Sequence, residues 1–257
     1  MAVQGKLVPQ DPNDEPASVL VEKIAKEKAR LIKEGKIKKQ KPLSEIGEEE
    51  RPFELPNGWE WAKFGELPID ACTGLDKGKN LQSLDYKYPY FKMNNILNVG
   101  GFDLTDLTRV NATPDELGKY SLENGDFLFN TRNSRELVGK TCVIRGIGDD
   151  PFLYNNNILR AKLPYVSPEF VDIWFRSVSG RLLLEEIKSN TTNVCAIYQG
   201  KLFEMLCVLP PLAEQHRIVA KVDELMALCD QLKAKLTQSQ QQSEKLIDAM
   251  FQQLLVA

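Results

Sequence analysis

Three patterns of apolar and polar positions follow one another along the chain. Leu20, Ile24 and Leu31 recur at helical spacing and predict a helix over about residues 17–34. Asp14 or Ser18 is placed to cap its start, and Gly35 falls where a helix-ending glycine belongs. The segment before it, GKLVPQDPNDEP (5–16), holds three prolines and is expected to be extended or turned. After it, KIKKQKPLSEIGEEERPF (36–53) reads as a linker with a basic half and an acidic half. From about 59 to 212 the apolar runs become short and β-leaning, separated by Gly, Asn and Pro: YPYFKM, DFLFNT, TCVIRG, FLYNNNILRAKL and LCVLP. One or two helical pieces interrupt them, most clearly PEFVDIWFRSVSGRLLLEEIK (168–188).

The third pattern begins after Leu209, Pro210 and Pro211. Ile218, Val222, Leu225, Cys229, Leu232, Leu236, Ser239, Ser243, Leu246, Met250 and Gln253 are spaced alternately by four and three, the a/d series of a coiled coil. A helix of about forty residues is roughly 60 Å long, against a radius of gyration near 15 Å for a domain of this size. Its apolar seam is therefore expected to project and to need a partner. Ser239 and Ser243 make the seam polar in the middle, which either fixes register or marks a change of partner. The chain divides into an N-terminal segment (1–53), a globular domain (54–212) and the long helix (213–257). The class is α+β, with a twisted mixed or antiparallel sheet.

Composition narrows the function by exclusion. With 42% hydrophobic and 27% charged residues the chain can bury a real core, and no apolar run is long enough to cross a bilayer. Five cysteines without CxxC spacing read as reduced cytosolic thiols. A net charge of −3 argues against a surface that binds nucleic acid everywhere, though not against a local basic face. The single histidine, His216, has no acid–base partner near it in sequence and reads as a packing or surface residue. Glycine-rich phosphate loops, HExxH and GxSxG are all missing. The pairs Asp149–Asp150 and Glu185–Glu186 are of a kind common on surfaces. Between Lys23 and Lys41 nine lysines or arginines face two glutamates, either a solvated helix face or a strip for phosphates.

What remains is four polar loops. The first carries Lys77, Lys79 and Asn80, and the second Lys92, Asn94 and Asn95. The third, NTRNSRELVGK (130–140), carries Arg132, Asn133, Ser134, Arg135 and Lys140. The fourth, 188–201, carries Lys188, Thr191, Thr192, Asn193, Tyr198 and Lys201. Arg bonds guanine and Asn bonds adenine bidentately, while Lys and hydroxyls suit phosphates. Gly, Asn and Ser also form ordinary turns, so one loop alone signifies little. Four of them in a domain without a catalytic signature indicate a recognition module. The competing class is a protein–protein scaffold, in which the long helix and the basic helix bind partners and the globular domain reads no DNA.

LPNGWEW (55–61), GDFLFNTRNSRELVGKTCVI (125–144), LPPLAEQHRIVAKVDELMALCDQLKAKL (209–236) and the N-terminal residues 5–39 together resemble the DNA specificity subunits of type I restriction–modification enzymes. That resemblance covers almost the whole chain. It implies a non-catalytic subunit that reads double-stranded DNA through target-recognition domains, each taking one half of an interrupted site. It also implies a modification (methyltransferase) subunit using S-adenosylmethionine and a restriction (translocase and nuclease) subunit using ATP, with no cofactor on this chain. The usual subunit has two recognition domains and two long antiparallel helices. Here there is one of each, in the order of a second repeat, which fits either a natural half-subunit or a piece of a longer chain. Two copies are then expected to pair through Ile218, Val222, Leu225, Cys229, Leu232, Leu236, Leu246 and Met250, as a cytoplasmic homodimer without membrane contact.

Overall fold

The computed structural model describes residues 1–190 and 194–256. In chain order the elements are α1 (Ala17–Lys33), β1 (Glu60–Lys63), β2 (Asp70–Thr73), β3 (Tyr88–Phe91), β4 (Thr108–Val110), α2 (Pro114–Tyr120), β5 (Phe127–Asn130), β6 (Arg132–Asn133), β7 (Thr141–Val143), β8 (Leu153–Tyr154), β9 (Ile158–Lys162), α3 (Pro168–Arg176), α4 (Val178–Ile187), β10 (Ser189–Asn190), β11 (Cys195–Ala196), α5 (Gln199–Glu204), β12 (Leu206–Leu209) and α6 (Leu212–Val256). The class is mixed α+β, but the strands form four small sheets rather than one. Their orders are β1–β12, β2–β9–β5–β7, β4–β3–β8 and β10–β11–β6. All pairs are antiparallel except β3 with β8. Strands of two to five residues are too short to sustain a continuous sheet across the domain.

The four-stranded sheet is the partition of the molecule. In β5, Phe127 and Phe129 face a large core that also holds Trp174, Phe170 and Phe175. Leu128 faces a second core with Phe91, Cys142 and Ile158. A sheet covered on both faces needs apolar side chains at successive positions, hence the unbroken FLF. In the larger core the Phe64 ring meets Phe175 at 5.1 Å, Phe127 at 5.9 Å and Phe203 at 6.0 Å. The run FLYNNNILRAKL splits into β8 and β9 because its asparagines turn the chain. Asn155 Oδ1 accepts the Asn157 N–H at 2.8 Å, and the Asn155 carbonyl accepts the Ile158 N–H at 3.0 Å.

The N-terminal segment is not a separate body. Ala17, Leu20 and Ile24 of α1 belong to the same core as Trp59 and Phe64. The Gly58 carbonyl takes the Ala17 N–H at 2.9 Å. No side chain caps the helix start, because the cap position is Pro16, which has no side-chain acceptor; neither Asp14, which binds Arg217, nor Ser18 takes that role. Its end closes on Gly35, φ +69°, where the Lys36 N–H reaches the Leu31 carbonyl and the Gly35 N–H reaches that of Ile32. Further on, the Lys63 ammonium donates to Ser44 Oγ and, at 2.8 Å, to Glu204, which straps the linker onto the domain.

The helical piece at 168–188 is two helices, α3 and α4. Ser177 ends the first and caps the second: its N–H bonds the Ile173 carbonyl, and its Oγ accepts the Gly180 N–H at 3.1 Å. Gly180 permits the close approach, since a Cβ there would stand 2.1 Å from the Trp174 carbonyl oxygen.

The root of α6 ties the sequence motifs together. β1, from LPNGWEW, pairs with β12 just before Pro210 and Pro211. The Trp59 indole N–H donates to Glu214 at 2.9 Å, in the buried first turn of the helix. Gln215 accepts the Ser167 N–H and donates to the Pro210 carbonyl, both at 2.8 Å. Arg217 donates to both carboxylate oxygens of Asp14, at 2.6 and 3.2 Å. Ile218 is fully buried, and Val219 and Val222 pack against the same core. From Asp223 onward every side chain described is exposed, so about 50 Å of helix stands clear of the domain.

Burial raises the Glu214 pKa above the ordinary carboxylate value, with the Trp59 hydrogen bond and Arg217 opposing. A carboxyl whose folded pKa lies above its unfolded one makes folding less favourable as pH rises between the two. Glu214→Gln keeps an oxygen for Trp59 and removes the charge. Its stability relative to the wild type should therefore increase from mildly acid to neutral pH in denaturant titrations, and a constant difference would contradict the assignment.

Candidate nucleic-acid interface

Two of the four polar loops are stitched together as a ribbon. β6, from the 130–140 loop, pairs with β11, and β11 pairs with β10, both from the 188–201 segment. Arg132 lies opposite Ala196, and Asn133 opposite Cys195. Buried Asn130 holds the base of the ribbon, its amide donating to the Arg132 carbonyl at 3.2 Å, while the Ile197 N–H bonds the Thr131 carbonyl at 2.9 Å. Arg132 is exposed and ion-pairs with no carboxylate among the described residues. Asn133 is half-buried, and its Oδ1 accepts the Ser134 N–H at 2.9 Å. Ser134 and Tyr198 are exposed. Thr191, Thr192 and Asn193 lie outside the described residues.

Arg135 and Lys188 join the ribbon to α4. Both ion-pair with Glu185, Lys188 at 2.7 Å, and Lys188 also donates to the Arg135 carbonyl at 2.8 Å. The two cations hold the Glu185 pKa below its usual value, Lys188 foremost. Their charges are thus partly compensated inside the protein.

The first two loops meet each other beside the β4–β3–β8 sheet. Lys77 pairs with Glu116 at 3.0 Å, and the Lys77 carbonyl accepts from Gln82 at 2.7 Å. Lys92 donates to Thr108 Oγ1 at 2.6 Å and to Gln82 at 3.5 Å. Lys79, Asn80 and Asn94 are exposed. The second loop also touches the third, since the buried Lys140 ammonium donates to the Ile96 carbonyl.

Of the residues expected at a DNA surface, Asn95 and Lys140 are buried and Lys201 lies on another groove. Asn95 is 3% exposed: its Oδ1 accepts the Lys92 N–H at 2.8 Å, and its amide donates to the Asp103 and Asp106 carbonyls at 3.0 and 3.2 Å. Those groups are consumed in shaping the loop, so no base edge can reach them. Lys140 is 7% exposed, and its ammonium is turned to the Ile96 carbonyl. Lys201 is exposed on α5 and lines a different groove, with Glu49, Glu50, Glu186 and Glu204. In the N-terminal basic stretch, Lys28 donates to the Gly65 carbonyl at 2.8 Å, and burial pushes its pKa down to about 8. Arg181, which no loop motif flagged, reaches the Gly139 carbonyl from α4 at 3.1 Å. Only its position on the helix that braces the ribbon gives it away.

Along α6, Leu225, Leu232 and Leu236 are 40%, 65% and 61% exposed, and Cys229 is exposed as well. The seam diverges from its heptad expectation at the root, where Ile218 and Val222 are taken by the domain core. Ser243 satisfies its hydroxyl on the Ser239 carbonyl at 2.9 Å. The side chains of Leu246 and Met250 are outside the described residues.

No protein-family model matches the chain. Over 254 residues, 97% of the chain, it is 36% identical to the EcoAI type I restriction enzyme specificity subunit of Escherichia coli, covering 42% of that protein. It is 31% identical to the EcoEI specificity subunit of the same species, again over 97% of the chain and 43% of the relative. The chain belongs to the family of type I restriction enzyme specificity subunits. It spans less than half the length of these relatives. Its fold is shared with the HsdS subunit from Thermoanaerobacter tengcongensis, at a TM-score of 0.57, 24% identity, 76% of this chain and 49% of that one. A chain from a structure of type I restriction–modification complex assembly gives the same TM-score at 19% identity, over 90% of this chain and 52% of that one. No helix among the described residues is long and apolar enough to cross a membrane.

The division between buried and displayed asparagines can be tested directly. Asn95→Ala leaves three main-chain groups of the loop unpaired and should lower stability by about 1–3 kcal/mol. Asn94→Ala should stay within about 0.5 kcal/mol of the wild type. Equal effects in chemical denaturation would refute the distinction.

Proposed function

We propose that this chain reads one half of a bipartite DNA target and positions that DNA for a modification subunit and a restriction subunit. The observation that carries the reading is the ribbon β6–β11–β10. The B-DNA major groove admits a β-ribbon, and this one displays Arg132 on a base braced by Asn130. Arg132 offers a bidentate fork to guanine, while Asn133, on the other face of the strand, holds the turn into Ser134. Lys79, Asn80 and Asn94 form the outer polar surface that follows the backbone. Tyr198, at the foot of the ribbon, supplies a flat face. On this reading the chain performs no chemistry: S-adenosylmethionine and ATP act on the partner subunits.

The projecting part of α6 is the spacer. Its exposed leucines form an apolar strip of the kind that marks an association surface. The strip is met by a second copy running antiparallel, which sets two recognition domains at a fixed distance on an interrupted palindrome.

The DNA reading is tested by mapping methylated positions in a host carrying the complex, then measuring binding to that site and to a random duplex. Arg132→Ala should weaken binding to the mapped site by about 1–3 kcal/mol and affect the random duplex much less. Equal losses on both would leave Arg132 without a base to read. For the helix, analytical ultracentrifugation should show a dimer that Leu232→Glu with Leu236→Glu converts to monomer. A wild-type monomer at tens of micromolar would rule out pairing of two copies.

A further inference from the structure

The second, third and fourth polar loops meet α4 around a cavity of about 350 Å3. Its wall includes Asn98, Glu136, Lys140, Arg181, Glu185 and Lys188. Glu185 and Lys188 neutralise each other, and Glu185 is shared with Arg135. Glu136 is occupied by its own loop, where main-chain and Ser134 hydrogen bonds hold its pKa below the usual value. Lys140 and Arg181 are different. Each donates to a main-chain carbonyl, Ile96 and Gly139 respectively, and neither ion-pairs with a carboxylate among the described residues. Burial pulls the pKa of both groups down; for Arg181 the nearby Arg176 adds to the effect and Asp172 opposes it.

Two partly desolvated cations in one wall, neither in direct contact with a carboxylate, are costly, and the cost is relieved when a negative ligand enters. An ammonium has three donors and a guanidinium five, so donors remain after the carbonyl contacts are made. Leu184 is the one apolar side chain in the described lining, so the wall offers no stacking face for a base or other apolar group. A small tetrahedral oxyanion fits these constraints. Position decides the source: Lys188 immediately precedes β10, and Glu136 and Lys140 lie on the loop that follows β6.

We propose that this cavity seats one backbone phosphate of the duplex, held by Arg181 and Lys140. This rests on the DNA reading above and adds a register device to it. A phosphate clamped beside the ribbon fixes where Arg132 falls along the groove, while carrying no sequence information itself.

The test uses the chain assembled with a modification subunit, a random-sequence duplex, and fluorescence anisotropy across a salt series. Arg181→Gln should weaken binding about tenfold at low salt and reduce the slope of log K against log salt by about 0.9, the signature of one lost phosphate contact. Arg181→Lys keeps the charge and should retain the wild-type slope. An unchanged slope in Arg181→Gln, with the wild type binding normally, overturns the phosphate seat and leaves the DNA reading standing. A loss in Arg181→Lys as large as in Arg181→Gln also overturns it, because the bond to Gly139 would then be what matters. A wild-type complex that binds no duplex overturns both proposals. Inorganic phosphate at matched ionic strength separates the two sources: protection of the wild type against heat without any slope change in Arg181→Gln would assign the cavity to free phosphate and overturn the DNA assignment.

Discussion

The hydrogen bond from Trp59 to the buried carboxylate of Glu214 lies at the point on which the molecule's geometry turns. It joins the residue before the first strand of the globular domain to the first turn of a helix whose described side chains are exposed from Asp223 onward. Gln215, Arg217 and Ile218 complete the joint, each from a different side. A helix held over so few turns is a lever, and a tilt of about 10° at its root would carry the far end of a 50 Å arm by roughly 9 Å. A buried carboxylate is a costly way to make a joint, and a leucine would pack with less penalty. What the carboxylate and amide contribute is direction: their partners accept one orientation, whereas an apolar contact tolerates several.

The same logic governs the reading end. Ribbon strands of two residues have little stability of their own. They are held because Asn130 is buried at the end of β5, an inner strand of a sheet packed on both faces. Rigidity passes from the aromatic core through β5 into the short ribbon that displays Arg132.

Sequence periodicity was sufficient for the elements whose stability is local. The α1 helix, its end at Gly35 and the long α6 followed from spacing alone, because helical neighbours lie three or four residues apart. Sheet order did not follow, since β1 with β12 and β6 with β11 join residues far apart in the chain. The break at Ser177 escaped because Gly180 is defined by a contact with the Trp174 carbonyl that no local pattern reveals. The loops presented the same difficulty in sharper form. Asn94 and Asn95 are adjacent and chemically identical, yet one is displayed and the other is consumed holding its loop. Arg181 was invisible for the converse reason: a cation on an amphipathic helix looks like a solvated face until the fold brings the 130–140 loop over it.

A net charge of −3 looks at first like an obstacle to binding a polyanion, yet it is consistent with selectivity once the charges are placed. Lys77, Arg135, Lys188 and Arg176 are each matched by a carboxylate: Glu116, Glu185 for two of them, and Asp172. Matched cations add little to the attraction for DNA at a distance, because screening over about 8 Å at physiological salt erases a compensated pair. The cations of this surface that ion-pair with no carboxylate among the described residues include Arg132 on the ribbon, Lys79 on the outer loop, and Arg181 with Lys140 in the cavity wall. A surface arranged this way gains little from DNA that merely approaches it and much from DNA that seats. Non-specific affinity scales with the number of phosphates neutralised, so restraint in free charge keeps it low. The discrimination between sites is then left to the few contacts that the rigid ribbon can make.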